Sequence, residues 1–319
     1  MKHSKRKSRL SMIGAGWFFV LCLSGLALDQ ARAQTTPRFL APTTDFSGGS
    51  ITELSRRGMH YEALQTYIGE SDPADLSEQL ALAQSAWALG LITTAREIWD
   101  DAFAQRGFEG IDRARATLSR AIMELQEGAY EEARALSERA AQDLPPSELR
   151  AQFWLVIAEA LKEQGAASMA EGYYKKAVEE GRGAVKGEAS YLLGECQFRL
   201  GRVNDARYSF ASLETTSHYT AQALRRLAEI DYQQRNYEGV LTWIEEGRES
   251  FPSEFQDGWT GYTLVTALLE VGRFREAKKE AAALQVRHSE GDGWVALAQA
   301  ALEARLAREV YSDIGETTE

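Results

Sequence analysis

The chain has little with which to cross-link itself, interrupt helices or hold a metal. Of 319 residues only two are cysteine, six are proline and four are histidine. Cys22 lies in an N-terminal segment that reads as removed, so Cys196 is left without an intramolecular partner and stability has to come from packing. Cys196 itself sits in an apolar helical stretch and reads as a small core residue rather than a reactive thiol. The prolines stand at positions 37, 42, 73, 145, 146 and 252, and the long intervals between them are rich in Ala, Leu, Glu and Arg. That composition builds helices, and strand signals are scarce. His60, His218 and His288 are far apart and never pair with a Cys or a carboxylate at ligand spacing, which argues against zinc. His60 occupies a turn position of the repeat described below and reads as structural.

Catalytic chemistry is equally hard to find. Gly181-Arg-Gly183-Ala-Val-Lys-Gly187 has the outline of a nucleotide-binding loop, but its third glycine comes one residue late and no strand precedes it, so it reads as a loop between hairpins. The carboxylate pairs Glu179/Glu180 and Glu245/Glu246 read as solvated helix faces. No catalytic residue, metal, cofactor or small-molecule substrate is expected.

What is present begins with a three-part targeting signature over residues 1–33. Lys2, Lys5, Arg6, Lys7 and Arg9 form a basic start, Met12 to Leu28 is an uncharged apolar run of 17 residues, and Ala31-Arg32-Ala33 offers the small residues of a peptidase site. Cleavage is expected after Ala33, with export to the periplasm. Lipid attachment at Cys22 is disfavoured because Val20 and Leu21 precede it. The alternative is an uncleaved anchor, since the apolar run approaches the ~20 residues that span a bilayer, and that is the one membrane association expected. Without residues 1–33, which carry six Lys/Arg and one Asp, the formal charge deepens from −11 to −16. So acidic a chain repels phosphate backbones and anionic headgroups, which argues against a nucleic-acid partner.

The remainder is organised by one repeat. Glycines at 58, 90, 128, 165, 201 and 272, with Arg235 in the one irregular unit, recur at intervals of 32, 38, 37, 36, 34 and 37 residues. Five positions after each comes a small residue: Ala63, Ala95, Ala133, Ala170, Ala206 and Ala277, with Val240 in the irregular unit. Seven before each the residue is usually small too, as at Ala83, Ala121, Ala158, Gly194 and Ala228. Nine after stands a ring or large apolar group at Tyr67, Trp99, Tyr174, Phe210 and Ile244. Two helices joined by a tight turn pack closely only where the facing positions lack bulk, and glycine ends the first of them in the left-handed conformation. Large groups then fill the space between hairpins.

The units resemble tetratricopeptide repeats, the 34-residue helix-turn-helix family. Leu193-Gly194, Gly201-Arg-Val-Asn-Asp-Ala206 and Phe210 match the family's pattern, as do Gly128-Ala-Tyr-Glu-Glu-Ala133 with Ala140 and Pro145, and Asn236-Tyr-Glu-Gly with Ile244 and Pro252. The resemblance covers residues 50 to 310. It implies an all-α fold, an α-solenoid of about seven helix-turn-helix hairpins over residues 51–310, with a short first helix acting as a cap and a single closing helix from residue 293 to 310. Residues 34–50 read as a flexible linker and 311–319 as a loose acidic tail.

The same resemblance implies a binder of a protein or peptide, held in a concave groove lined by the first helix of each hairpin. The groove positions fall on Glu188, Tyr191, Glu195, Phe198 and Arg199, then on Gln222, Arg225, Glu229, Tyr232 and Gln233, then on Trp259 and Tyr262. Core packing between hairpins is the competing reading of each ring, whereas Arg225 and the glutamates are expected to stay accessible. Glu195 and Glu229 stand where family members that clamp a terminal carboxylate carry Asn, which argues against that use. The expectation is a non-enzymatic periplasmic scaffold in envelope assembly or division; the alternative is a structural part of a polysaccharide-export or secretion complex.

Overall fold

Alternation of helix-forming stretches with left-handed glycines yields, in the computed structural model, fifteen helices among the described residues. Those residues are 50–69, 75–105, 108–214, 217–288 and 291–316. The expected export signal and almost all of the expected linker lie outside them. Seven hairpins follow one another: α1 (Ser50–Arg56) with α2 (His60–Gly69), α3 (Leu76–Ala88) with α4 (Ile92–Ala104), α5 (Gly110–Gln126) with α6 (Tyr130–Asp143), α7 (Glu148–Glu163) with α8 (Ala167–Glu180), α9 (Gly183–Arg199) with α10 (Val203–Ala211), α11 (Thr220–Gln233) with α12 (Tyr237–Ser250), and α13 (Gly258–Glu270) with α14 (Phe274–Arg287). A final helix, α15 (Gly293–Glu316), closes the stack. Odd-numbered helices lead each hairpin and even-numbered ones trail.

Every hairpin turns in the same way. The glycine N–H bonds the carbonyl three residues back and the next N–H bonds the carbonyl five back, as in Gly90 to Trp87 and Leu91 to Ala86, both at 2.8 Å. This satisfies carbonyls that the helix end would leave orphaned, and it requires a left-handed residue. The six turn glycines have φ between 75° and 81°. Arg235 is the one non-glycine residue with positive φ among the described residues, at 59°, and makes the same pair of bonds. Side-chain caps start several leading helices: Asp75 accepts from the N–H of Glu78, Ser147 from Arg150 and Asp257 from Thr260.

The small residues do what the repeat requires. Ala63, Ala95, Ala133, Ala170, Ala206 and Ala277 are all at 0 % exposure, and so are Ala83, Ala121, Ala158 and Ala228. At Gly194 a Cβ would stand 2.6 Å from the Phe210 ring, so the ring seats directly on the α9 backbone. Trp99, Tyr174, Phe210 and Ile244 are buried as fillers, whereas Tyr67, in the terminal hairpin, is exposed. Cys196 is buried, and its Sγ bonds the carbonyl of Ala167. His60 Nδ1 lies 3.2 Å from Ser85 Oγ, a contact that ties the first hairpin to the second.

Two expectations change. Residues Gly183 to Gly187 are the first turn of α9 and not a loop; Gly187 is needed there because Ser217 lies against its backbone where a side chain would have to go. The closing helix continues past residue 310 to Glu316, six residues into the expected tail. No proline stops that stretch, and its first glycine is Gly315.

Leading helices pack on the next leading helix from α1 to α9 and again between α13 and α15, while each trailing helix packs on the leading helices around it. No two trailing helices approach as closely among the described residues. The stack is therefore tighter along its leading side, which makes that side the inner one. Replacing the strained residue by glycine should help the fold: a non-glycine left-handed residue costs roughly 1–2 kcal/mol, partly offset by the extra chain entropy of glycine. Arg235→Gly is expected to raise stability by about 0.5–1 kcal/mol in urea unfolding, and Gly201→Arg to lower it by a similar or larger amount. A destabilised Arg235→Gly would refute this account of the turns.

Candidate partner-binding groove

Measured from the turn residue of each unit, Glu188, Gln222 and Trp259 share one register position, Tyr191, Arg225 and Tyr262 a second, and Glu195 and Glu229 a third. Spacings of three and four residues put each set on one face of α9, α11 or α13. This is the leading side of the stack, and from α9 through α11 to α13 consecutive leading helices approach less closely than elsewhere along it, so that long side chains bridge them.

The central bridge is Arg226. Its Nε and Nη2 donate to Glu195 Oε1 and Oε2 at 2.6 and 2.9 Å, and its Nη1 donates to Glu229 Oε2 at 2.7 Å. The guanidinium also lies over the Phe198 ring, 5.8 Å from its centroid. Burial opposes the charge, yet Glu195 and Glu229 together hold Arg226 above the usual guanidinium range. Arg225 points the other way. It grips the Asp257 carboxylate and the carbonyl of Glu254, and it lies 5.0 Å over the Trp259 ring. Burial pushes the Asp257 carboxyl up, but the Arg225 and Thr260 bonds outweigh it and the net shift is downward.

Rings continue the line. Tyr232 and Tyr262 bring their hydroxyls to 3.3 Å, and Tyr262 packs on Trp294 of α15 with centroids 5.5 Å apart. Phe198, Tyr232, Trp259 and Tyr262 are all half-buried. Arg199 and Gln233 are exposed, and Gln222 is half-buried with a carbonyl oxygen that has no partner.

The structure removes two positions from the surface. Tyr191, 2 % exposed, is core: it stacks on Tyr219 at 5.0 Å and tilts against Phe210 at 5.7 Å. Glu188 is 4 % exposed, contrary to the expectation that the glutamates stay accessible. Tyr219, which sits in the connection after the short helix α10, reaches over it and donates to Glu188 Oε1 at 3.1 Å. Burial, with the nearby Glu159 carboxylate, pushes the Glu188 carboxyl up to about 7 despite that bond.

Arg226, Tyr219, Asp257 and Trp294 were not found from sequence. Arg226 occupies the register position of Leu192 and Thr263, which are buried at 7 % and 1 %, and no groove position of the repeat falls there. The available signal was a lone arginine with acids at the same register position of two consecutive units.

This geometry defines a helical-repeat protein whose conserved register is geometric and whose inner face carries the chemistry. The hairpins within residues 80–217 have the form of tetratricopeptide repeats, the repeat fold of protein-interaction scaffolds. A tetratricopeptide-repeat family model matches residues 80–148 and 155–217. Among solved structures the fold is similar to PilF of Pseudomonas aeruginosa, at 17% identity over 65% of this chain and 93% of that one, with a TM-score of 0.51. It is similar also to the apo form of RapI, at 11% identity over 75% and 99%, with a TM-score of 0.50. At such identities the likeness concerns the fold alone. No curated protein matches the sequence.

Glu188 gives a pH signature. Its proton is held in the folded state to about pH 7 but released near pH 4.5 when unfolded, so stability should fall as pH rises across that window and level off above it. The full deficit is about 3 kcal/mol at 1.36 kcal/mol per pH unit. Glu188→Gln should match the native chain at pH 4 and exceed it at pH 8, in urea unfolding at both values. A native chain that gains stability between pH 4.5 and 7 relative to Glu188→Gln would reverse the assignment.

Proposed function

We propose that the chain is an exported, non-enzymatic scaffold that holds a protein or peptide partner on the inner face of α9, α11 and α13. The observation that carries this reading is the line of half-buried rings, Phe198, Tyr232, Trp259 and Tyr262, set between ion pairs that are already internally satisfied. Half-buried aromatic rings held rigid by their neighbours are the side chains from which a peptide gains most contact for least ordering cost. An apolar or aromatic side chain of the partner would pack among them. The backbone of the partner would bond Glu229, Gln222 and Gln233, which retain acceptor or donor capacity.

The periplasmic placement rests on the basic start, apolar run and Ala31-Arg32-Ala33 of the N-terminus, and on the acidity of the rest. A role in envelope assembly or division fits that placement. Among the described residues no three His, Cys, Asp or Glu side chains stand close enough to hold a metal ion. The reading as a binder rests on the groove itself.

Photo-crosslinking residues placed one at a time at Phe198, Glu229 and Trp259, and at Thr93 and Glu97 on the trailing side, would test the face in the native cell. Adducts are expected from the first three positions and not from the last two, in the periplasmic fraction. Adducts confined to the trailing positions would sink the groove assignment, and a cytoplasmic chain would sink the placement. Trp259→Ala should weaken capture of the crosslinked partner by about tenfold, the worth of one well-packed ring.

A further inference from the structure

The first two hairpins carry a surface unlike the rest of the stack and separate from the groove. Their turn glycines are followed by Met59 and Leu91, where the later turn residues are followed by Ala129, Ala166, Arg202, Asn236 and Arg273. Tyr61 and Leu89 stand beside them, and all four side chains are exposed, Tyr61 at 61 %. His60, between Met59 and Tyr61, lies 3.2 Å from Ser85, one helical turn before Leu89. The two turns therefore form one edge.

Charge sets the same edge apart. Residues 54–61 and 79–96 contain three arginines and no Asp or Glu, in a chain with 47 acidic residues against 36 Lys and Arg. Arg96 is held by Glu124 of the next hairpin, and Arg56 and Arg57 share the single carboxylate of Glu53. Glu62, the next acid in sequence, stands about 100° round α2 from Tyr61. The edge is thus neutral to weakly basic. The acidity that keeps the chain as a whole from anionic headgroups is missing where its apolar side chains stand out.

Size speaks against a second copy as the occupant. Four side chains so placed offer on the order of 300–400 Å² of apolar surface, roughly half of the ~800 Å² that each partner brings to a stable interface. A bilayer needs less, since a weak apolar contact suffices where a second attachment holds the chain near it. The sequence supplies that attachment, because only 21 residues, 29–49, separate the apolar run Met12 to Leu28 from Ser50. Fully extended they would span about 70 Å, so a run held in a bilayer keeps the first two hairpins within reach of its surface. Tyrosine and leucine are also side chains that favour the boundary between headgroups and acyl chains. We propose that the turn edge of the first two hairpins rests on the membrane surface, with the apolar run retained as anchor. This docking is independent of any peptide in the groove.

Quenching of a fluorophore by lipid tests this on the full chain, reconstituted into vesicles of phosphatidylcholine and phosphatidylglycerol. In a Cys22→Ser background, with Cys196 buried, an NBD label is attached through Leu91→Cys, or through Val286→Cys on exposed α14 surface as the control. Doxyl-labelled lipid is expected to quench the label at position 91 at least about twofold more than the label at 286. Adding Tyr61→Glu with Leu89→Glu should abolish that difference while the chain still floats with the vesicles. Both side chains are exposed, so the double variant should melt like the native chain. Equal quenching at 91 and 286 overturns the proposal, and so does a difference that survives the double substitution. A label at 91 shielded from water yet unquenched would show that protein, a second copy included, covers the edge. A chain that fails to float would remove the anchor, and either of these results also overturns the docking.

Discussion

Close approach of the two helices in each hairpin is the constraint on which the rest of the structure depends. It is met by alanine or glycine at the crossing, and the price of any larger residue is visible at Gly194, whose missing side chain is the seat of Phe210. Around these close crossings the large groups Trp99, Tyr174, Phe210 and Ile244 are buried. Each such side chain, fully buried, contributes roughly 1.5–3 kcal/mol. The hairpins thus store their apolar surface between units, so that none is stable without a neighbour and the stack must be continuous.

Polar groups then tie neighbouring hairpins where the apolar fit is incomplete. Arg96 reaches Glu124, Arg207 reaches Asp231 and Arg248 reaches Glu280, each linking one unit to the next, while Arg150 and Glu180 join the two helices of one hairpin. Asp231 is fully buried and also accepts from Trp243 Nε1 at 2.7 Å, so three helices meet on one carboxylate. Removing one partner from such a pair would leave a buried charge uncompensated, which is why these pairs fix the angle between units more than they add net stability. The same device, used between α9, α11 and α13, holds those leading helices at a distance and so lines the groove.

The fold was legible because its determinants are local and periodic. Glycine turns, small crossings and ring positions recur at fixed offsets, and each is a consequence of helix geometry that one unit suffices to explain. The irregular unit was legible too, since Arg235 adopts the conformation of the glycines it replaces. Legibility failed where a residue departs from its register for a reason lying in another unit. Glu188 looked solvated because nothing near it in sequence announces that Tyr219, 31 positions on, will cover it. Gly183 to Gly187 looked like a loop because glycine is a poor helix former; the close contact with Ser217 that requires Gly187 is tertiary. Arg226 was passed over because no groove position of the repeat falls on it.

These departures share a physical cause that bears on recognition. In the groove Arg226 already holds two carboxylates and Arg225 holds one, while Arg199 stands exposed at the end of α9. At Arg225 and Arg226 a partner carboxylate could be bound only by displacing an internal pair, an exchange of like for like that gains little. Charge therefore fixes the spacing of the helices and leaves little to offer a ligand. What remains available is the exposed part of the rings and the unused lone pairs of glutamate and glutamine. Recognition at the inner face then depends on the shape of the gap that the ion pairs hold open. On the proposed reading a residue such as Arg226 would act through position, by tying Glu195 of α9 to Glu229 of α11 beside the Phe198 ring, and not through contact with the partner.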